Sequence, residues 1–218
     1  MPDIKKETEK KDEKPSIEVI VKVLEVSNGK VVITDELKSF KMEITNVTVD
    51  VNSKTNILQD KMTISTSAKL PNDGKIVLKS DGEIPDKNFK GNLLLKDFDM
   101  TLLGPYMGGD VRVKKGRLNL ESNFSIVKEY IKAPSTLKLK DMDLESKGVL
   151  MGISAPLVLG LLKKEGEIAV NFNVWGNMKN PQNDLKDVFK KKMLASAQEK
   201  ITSPLKSIGK SIKGLMKP

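Results

Sequence analysis

The chain has 218 residues, 38% hydrophobic but only 4% aromatic, enough for one sizeable domain or two small ones and poorly suited to a compact core centred on aromatic rings. Histidine and cysteine are absent, which removes the usual general base, thiol nucleophiles, disulfides and the preferred ligands of zinc, haem and iron–sulfur centres. The formal charge of +9 is uneven, because residues 179–218 hold ten lysines against Asp184, Asp187 and Glu199 and leave the body nearly neutral.

Residues 1–16 open the chain as a charged lead; through residue 14 it holds five acids and five lysines, with too little apolar surface to offset the entropy of ordering. The first apolar run, Ile17 to Val26, is broken by Glu18, Lys22 and Glu25, so it reads as a strand and not as a signal peptide. Gly29, Gly74, Gly116 and Gly166 then each open a stretch of alternating apolar and polar residues. A second alternating phrase follows in the first three units, at Ile44–Val49, Leu95–Met100 and Leu139–Leu144. Repetition at 42 to 50 residues predicts strand units that bury their apolar faces by stacking on their neighbours. Residues 17–178 therefore form a repeated β module, with strands predicted over 17–26, 29–35, 38–51, 60–70, 74–80, 88–100, 110–114, 116–128, 135–146 and 166–175. Connections such as Pro71-Asn72-Asp73-Gly74 carry turn chemistry, which predicts antiparallel pairing of sequence neighbours. Period alone leaves a sandwich, a barrel and an open sheet as alternatives.

A short helix is predicted over 156–164. The longest uncharged run, Gly148 to Leu162, is 15 residues and contains Pro156, short of the roughly 20 needed to span a bilayer. Residues 179–218 are a basic helical segment, with helices over 184–201 and 204–216 capped by Asn183 or Asp184 and by Ser203-Pro204. In the last helix Leu205, Ile208, Ile212, Leu215 and Met216 share one arc and Lys206, Lys210, Lys213 and Lys217 the other, so these lysines are the candidate membrane contacts, the alternative being a helix docked on the sheet or plugging its open end. No aromatic residue is available there for base stacking, and nucleic acid is not an expected partner.

Catalytic motifs fail on inspection. Asp97-Phe98-Asp99 and Asp141-Met142-Asp143 place paired carboxylates on a strand face, which alternation alone produces. Ser203-x-x-Lys206 and Ser207-x-x-Lys210 arise by chance in a helix rich in both residues, and Gly209-Lys210-Ser211 lacks the first glycine and the strand of a phosphate loop. The chain reads as a non-enzyme without cofactor or metal. Gly104-Pro105-Tyr106 reads as a turn with a packed tyrosine.

Three phrases, Leu102-Leu103-Gly104-Pro105-Tyr106, Val113-Lys114-Lys115-Gly116-Arg117-Leu118-Asn119-Leu120 and Leu161-Leu162-Lys163-Lys164-Glu165-Gly166-Glu167-Ile168, resemble the AsmA-like envelope proteins of Gram-negative bacteria, in the branch catalogued as domain of unknown function 748. The ending, Val174-Trp175-Gly176-Asn177-Met178-Lys179-Asn180-Pro181, an amphipathic helix and Ser203-Pro204-Leu205, is similar to that branch's close, and Asn28–Asp35 with Ile44–Val47 is similar to its opening. The resemblance covers about residues 17–216. It departs in Asn183, in Leu205 where phenylalanine is usual, and in the N-terminal membrane helix, whose absence fits an excised piece of a longer chain.

What the resemblance implies is a mainly β fold: an elongated curved antiparallel sheet of repeated strand units forming a groove, with amphipathic α-helices at the C-terminus. It implies a place on the periplasmic face of the inner membrane and a part in lipid transport, with phospholipid or another acyl-chain ligand, a membrane surface and neighbouring envelope proteins as partners. Lipid-groove candidates are Leu93, Leu95, Leu118, Leu120, Leu137, Leu139, Ile168, Val170 and Phe172. The alternative, from a different class, is a structural or assembly factor that pairs partners along its open sheet edges with no lipid cargo.

Overall fold

The computed structural model describes residues 19–107, 112–145, 149–150 and 153–195. Alternation becomes sheet: β1 (Val23–Asp35), β2 (Phe40–Ser53), β3 (Lys61–Lys69), β4 (Lys75–Glu83), β5 (Asn88–Asp99), β6 (Arg112–Val127) and β7 (Tyr130–Glu145) run as one meander. After the two-residue strands β8 (Val149–Leu150) and β9 (Ile153–Ser154) come helix α1 (Ala155–Glu165), β10 (Glu167–Asn177), the two-residue β11 (Gln182–Asn183) and helix α2 (185–195). The main sheet has nine strands in the order β1-β2-β3-β4-β5-β6-β7-β10-β11, every neighbour antiparallel, and it does not close. The mainly β, open, helix-ended fold is thus the one expected from sequence, and it is neither sandwich nor barrel.

The repeat has a structural cause. In each second phrase one residue adopts a left-handed backbone: Asn46 (φ 50°), Asp97 (φ 50°) and Asp141 (φ 53°). Asparagine and aspartate tolerate that conformation better than other non-glycine residues. At each the register slips, between Thr45 and Thr48, between Leu95 and Phe98, and opposite Asp141 between Lys115 and Arg117. These are β-bulges, which let Leu95 and Phe98 point to one face although three residues apart. Two of the four unit-opening glycines lie at bulges, Gly29, which pairs with Val47, and Gly116, which has no room for a Cβ under Met142 and Met100, whereas Gly166 caps α1.

Several boundaries differ from expectation. The predicted strands 17–26 and 29–35 merge across the Gly29 bulge into β1, and 110–114 with 116–128 into β6. Strand β7 begins five residues earlier than predicted, after a two-residue turn in which Lys128 (φ 49°) and Glu129 (φ 67°) are both left-handed. Gly104-Pro105-Tyr106 ends a 3₁₀ helix, Met100–Tyr106, and is not an isolated turn. Seven residues at about 2 Å each span about 14 Å, close to three strand spacings, which carries the chain from β5 back to the foot of β2. There the Tyr106 hydroxyl donates to Asp35 Oδ2 at 3.0 Å, and its ring meets Phe40 edge-on at 5.3 Å.

The core lies at one end of the sheet. α1 and α2 cover β7 and β10, burying Val158, Leu161, Phe189 and Met193 against Leu137, Leu139, Ile168, Val170 and Phe172. Ion pair Lys192–Glu165 (3.5 Å) links the helices. Asp184 anchors the start of α2 by accepting from the Asn173 amide at 2.7 Å, while Asn183 Oδ1 accepts from the Leu185 amide at 3.3 Å. A smaller cluster, Val51, Ile57 and Met62, closes the far end of β2 and β3 beneath Val21, whose carbonyl accepts from the Ile57 amide at 2.8 Å. The predicted lead and the helix over 204–216 with Lys206, Lys210, Lys213 and Lys217 lie outside the described residues.

Candidate functional site: the two faces of the sheet

All nine candidate groove residues share one face. Cross-strand register aligns Leu95 with Leu120, Leu137 and Val170, then Leu118 with Leu139 and Ile168, and Leu93 with Ser122, Ser135 and Phe172. Their environments differ. Leu137, Leu139, Ile168, Val170 and Phe172 are buried under α1 and α2, whereas Leu93, Leu95, Leu118 and Leu120 are only partly buried. Protein side chains fill the β7–β10 end of this face, and among the described residues the sheet continues past them without a cover of the same size.

The same face runs on through Leu78 on β4, Ile64 on β3 and Val51 on β2 to the edge strand β1. Leu24 and Val31 on β1 are 48% and 46% exposed, against 1% for Leu139. Sequence reasoning did not single out these edge residues, although their alternation with Glu25, Lys30 and Thr34 carried the signal. Glycines on this face are shielded by rings: Phe89 lies over Gly82 and Phe124 over Gly91, each where a Cβ would collide.

The opposite face is mainly polar, with Asn, Thr and Ser beside longer lysines such as Lys61, Lys79 and Lys90 and with Val77 and Leu94 among them. Three concavities of about 900, 530 and 380 Å³ touch it, and the largest, at the strand ends, is also lined by Met62, Phe89 and Ile126, whose register places them on the apolar face. Asn52, Thr63 and Asp81 line both of the larger two, and Asn123 lines both of the smaller two, so neighbouring concavities adjoin across the strands in one row, the trough. Sequence reasoning passed over this face as solvated. Near its foot Arg117 donates to the carbonyls of Asn72 (2.7 Å) and Asp97 (3.1 Å), and Lys140 pairs with Asp97 at 2.9 Å. The hydrogen bond from Lys140 holds the Asp97 carboxyl below its ordinary range.

The paired carboxylates do not converge. Asp97 is the bulge residue bound to Lys140, while Asp99 caps the 3₁₀ helix by accepting from the amide (2.9 Å) and hydroxyl (2.7 Å) of Thr101. Among the described residues no three acidic groups gather where they could hold a metal ion. Among them, too, no helix is long and apolar enough to cross a membrane. Comparisons with protein-family models, with curated proteins and with solved structures find no match.

Proposed function

We propose that the chain is a non-enzymatic, AsmA-like envelope module that holds the acyl chains of phospholipid on the apolar face of its sheet, with α1 and α2 as the end cap. The observation that carries this reading is the continuity of one apolar face from the capped core at β7 and β10 to exposed Leu24, Val26, Val31 and Ile33 on β1. An acyl chain laid on such a surface gains about 0.8 kcal/mol per buried methylene and needs no specific polar partner. The periplasmic side of the inner membrane is the setting that the resemblance implies.

The test is photo-crosslinking from either face of the chain expressed in a bacterial host. A photoreactive phenylalanine in place of Ile33 or Met42 should capture phospholipid, and one in place of Lys79 on the polar face should not. Equal labelling from both faces, or none from the apolar one, would overturn the lipid reading. A second reading rests on a separate observation: the outer edge of β1 has no strand beside it among the described residues. A row of unpaired backbone groups is a template for strand addition, so a scaffold acting by edge pairing is the alternative.

A further inference from the structure

We propose that the polar face is a second binding surface, independent of the lipid face, whose ligand is a neutral polysaccharide chain lying across the strands. Register draws a continuous line over this face from Asn52 through Thr63, Asp81, Lys90 and Ser125 to Trp175, the last reached by way of Lys132. The line crosses β2, β3, β4, β5, β6, β7 and β10, six strand spacings or about 29 Å, which is a length for an extended polymer and not for a single small molecule.

The chemistry of the trough selects the class. Amide, hydroxyl, carboxylate and ammonium groups supply donors and acceptors beside the apolar Met62, Phe89, Ile126 and Val127, and a pyranose engages the first with its vicinal hydroxyls and the second with its C–H faces. Asn92 Nδ2 already donates to Asn123 Oδ1 at 3.2 Å, and Thr136 to Asn171 Oδ1 at 2.9 Å, so the amides are oriented before any ligand arrives. The concavities are lined by four lysines against five carboxylates, a near balance that draws in neither a polyanion nor a polycation. Trp175, 38% exposed on the same face beyond Asn173, offers a flat apolar ring with a polar edge, on which the C–H face of a sugar stacks.

Trp175 is the single tryptophan of the chain, so its fluorescence reports the site without a label. The full chain is titrated with maltohexaose, cellohexaose and chitohexaose. A saturable emission change with at least one of them is expected, and Asn123→Ala and Asp81→Asn should each weaken that binding roughly fivefold to tenfold, as loss of one or two hydrogen bonds would. Calorimetry on Trp175→Ala should show the heat of binding lost, with circular dichroism unchanged and phospholipid capture at Ile33 intact. No saturable change with any hexamer would overturn the proposal. So would unaltered affinity in both polar variants, or saturation by heparin in place of the neutral hexamers.

Discussion

At the scale of single residues, the sheet depends on positions where only one side chain fits. A Cβ on Gly91 would meet the Lys79 carbonyl, the Ser80 Cα at 2.9 Å and the Phe124 ring at 2.8 Å, two of them backbone atoms that cannot move aside. Gly91→Ala should therefore cost about 1–3 kcal/mol, the usual penalty of overpacking, read as a lower urea midpoint. An unchanged midpoint would mean that β4 and β5 separate at no cost. Asp97 supplies a pH test. Its carboxyl titrates lower folded than unfolded, so its stabilisation is present above the unfolded value of about 3.9 and is lost as pH falls through the depressed one. Asp97→Asn keeps a residue tolerant of φ 50° while removing the charge. The urea midpoints of wild type and variant should differ at pH 7 and converge in acid; a constant gap would assign the effect to geometry instead of charge.

At the scale of elements, the helices hold position by a few fully buried side chains. Phe189 and Met193 on α2 are both 0% exposed. Phe189→Ala should cost about 3–5 kcal/mol and release α2. Hydrogen exchange would then show fast amides in residues 185–195 and retained protection in β4 and β5; loss of protection throughout would make α2 part of the sheet's own folding unit. The Lys128-Glu129 turn shows why some elements were illegible. Neither residue favours a left-handed backbone, and the conformation is held by contacts distant in sequence. Glu129 pairs with Lys87 and accepts from the Met178 amide, and Asn88 Oδ1 accepts from the Lys128 amide. The bulges left a fainter trace: apolar residues three apart in a period-two pattern, with Asn or Asp just before the second, as in Leu95-Lys96-Asp97-Phe98.

At the scale of the molecule, an open sheet with one apolar face must leave part of that face bare unless something covers it. Among the described residues two short helices cover the strands beside them, and exposure is higher at β1. Val31→Lys with Ile33→Lys should change stability by no more than about 0.5 kcal/mol per site, as surface substitutions do, yet strip phospholipid adducts from the native mass spectrum. Retention of those adducts by the folded double variant would place the lipid elsewhere.

Sequence by itself determined the β class, the meander, the repeat and the sidedness of the strands, because alternation at period two and turn residues act over a few positions. It grouped Leu93 through Phe172 on one face for the same reason. Strand period left sandwich, barrel and open sheet undecided, with the resemblance alone favouring the open one; tertiary structure decided among them, and it decided that the β7–β10 end of the apolar face is filled by Phe189 and Met193 and where the concavities lie. Those outcomes depend on twist, on bulges accumulated over nine strands and on where two helices land, and such long-range sums are not written in any local pattern.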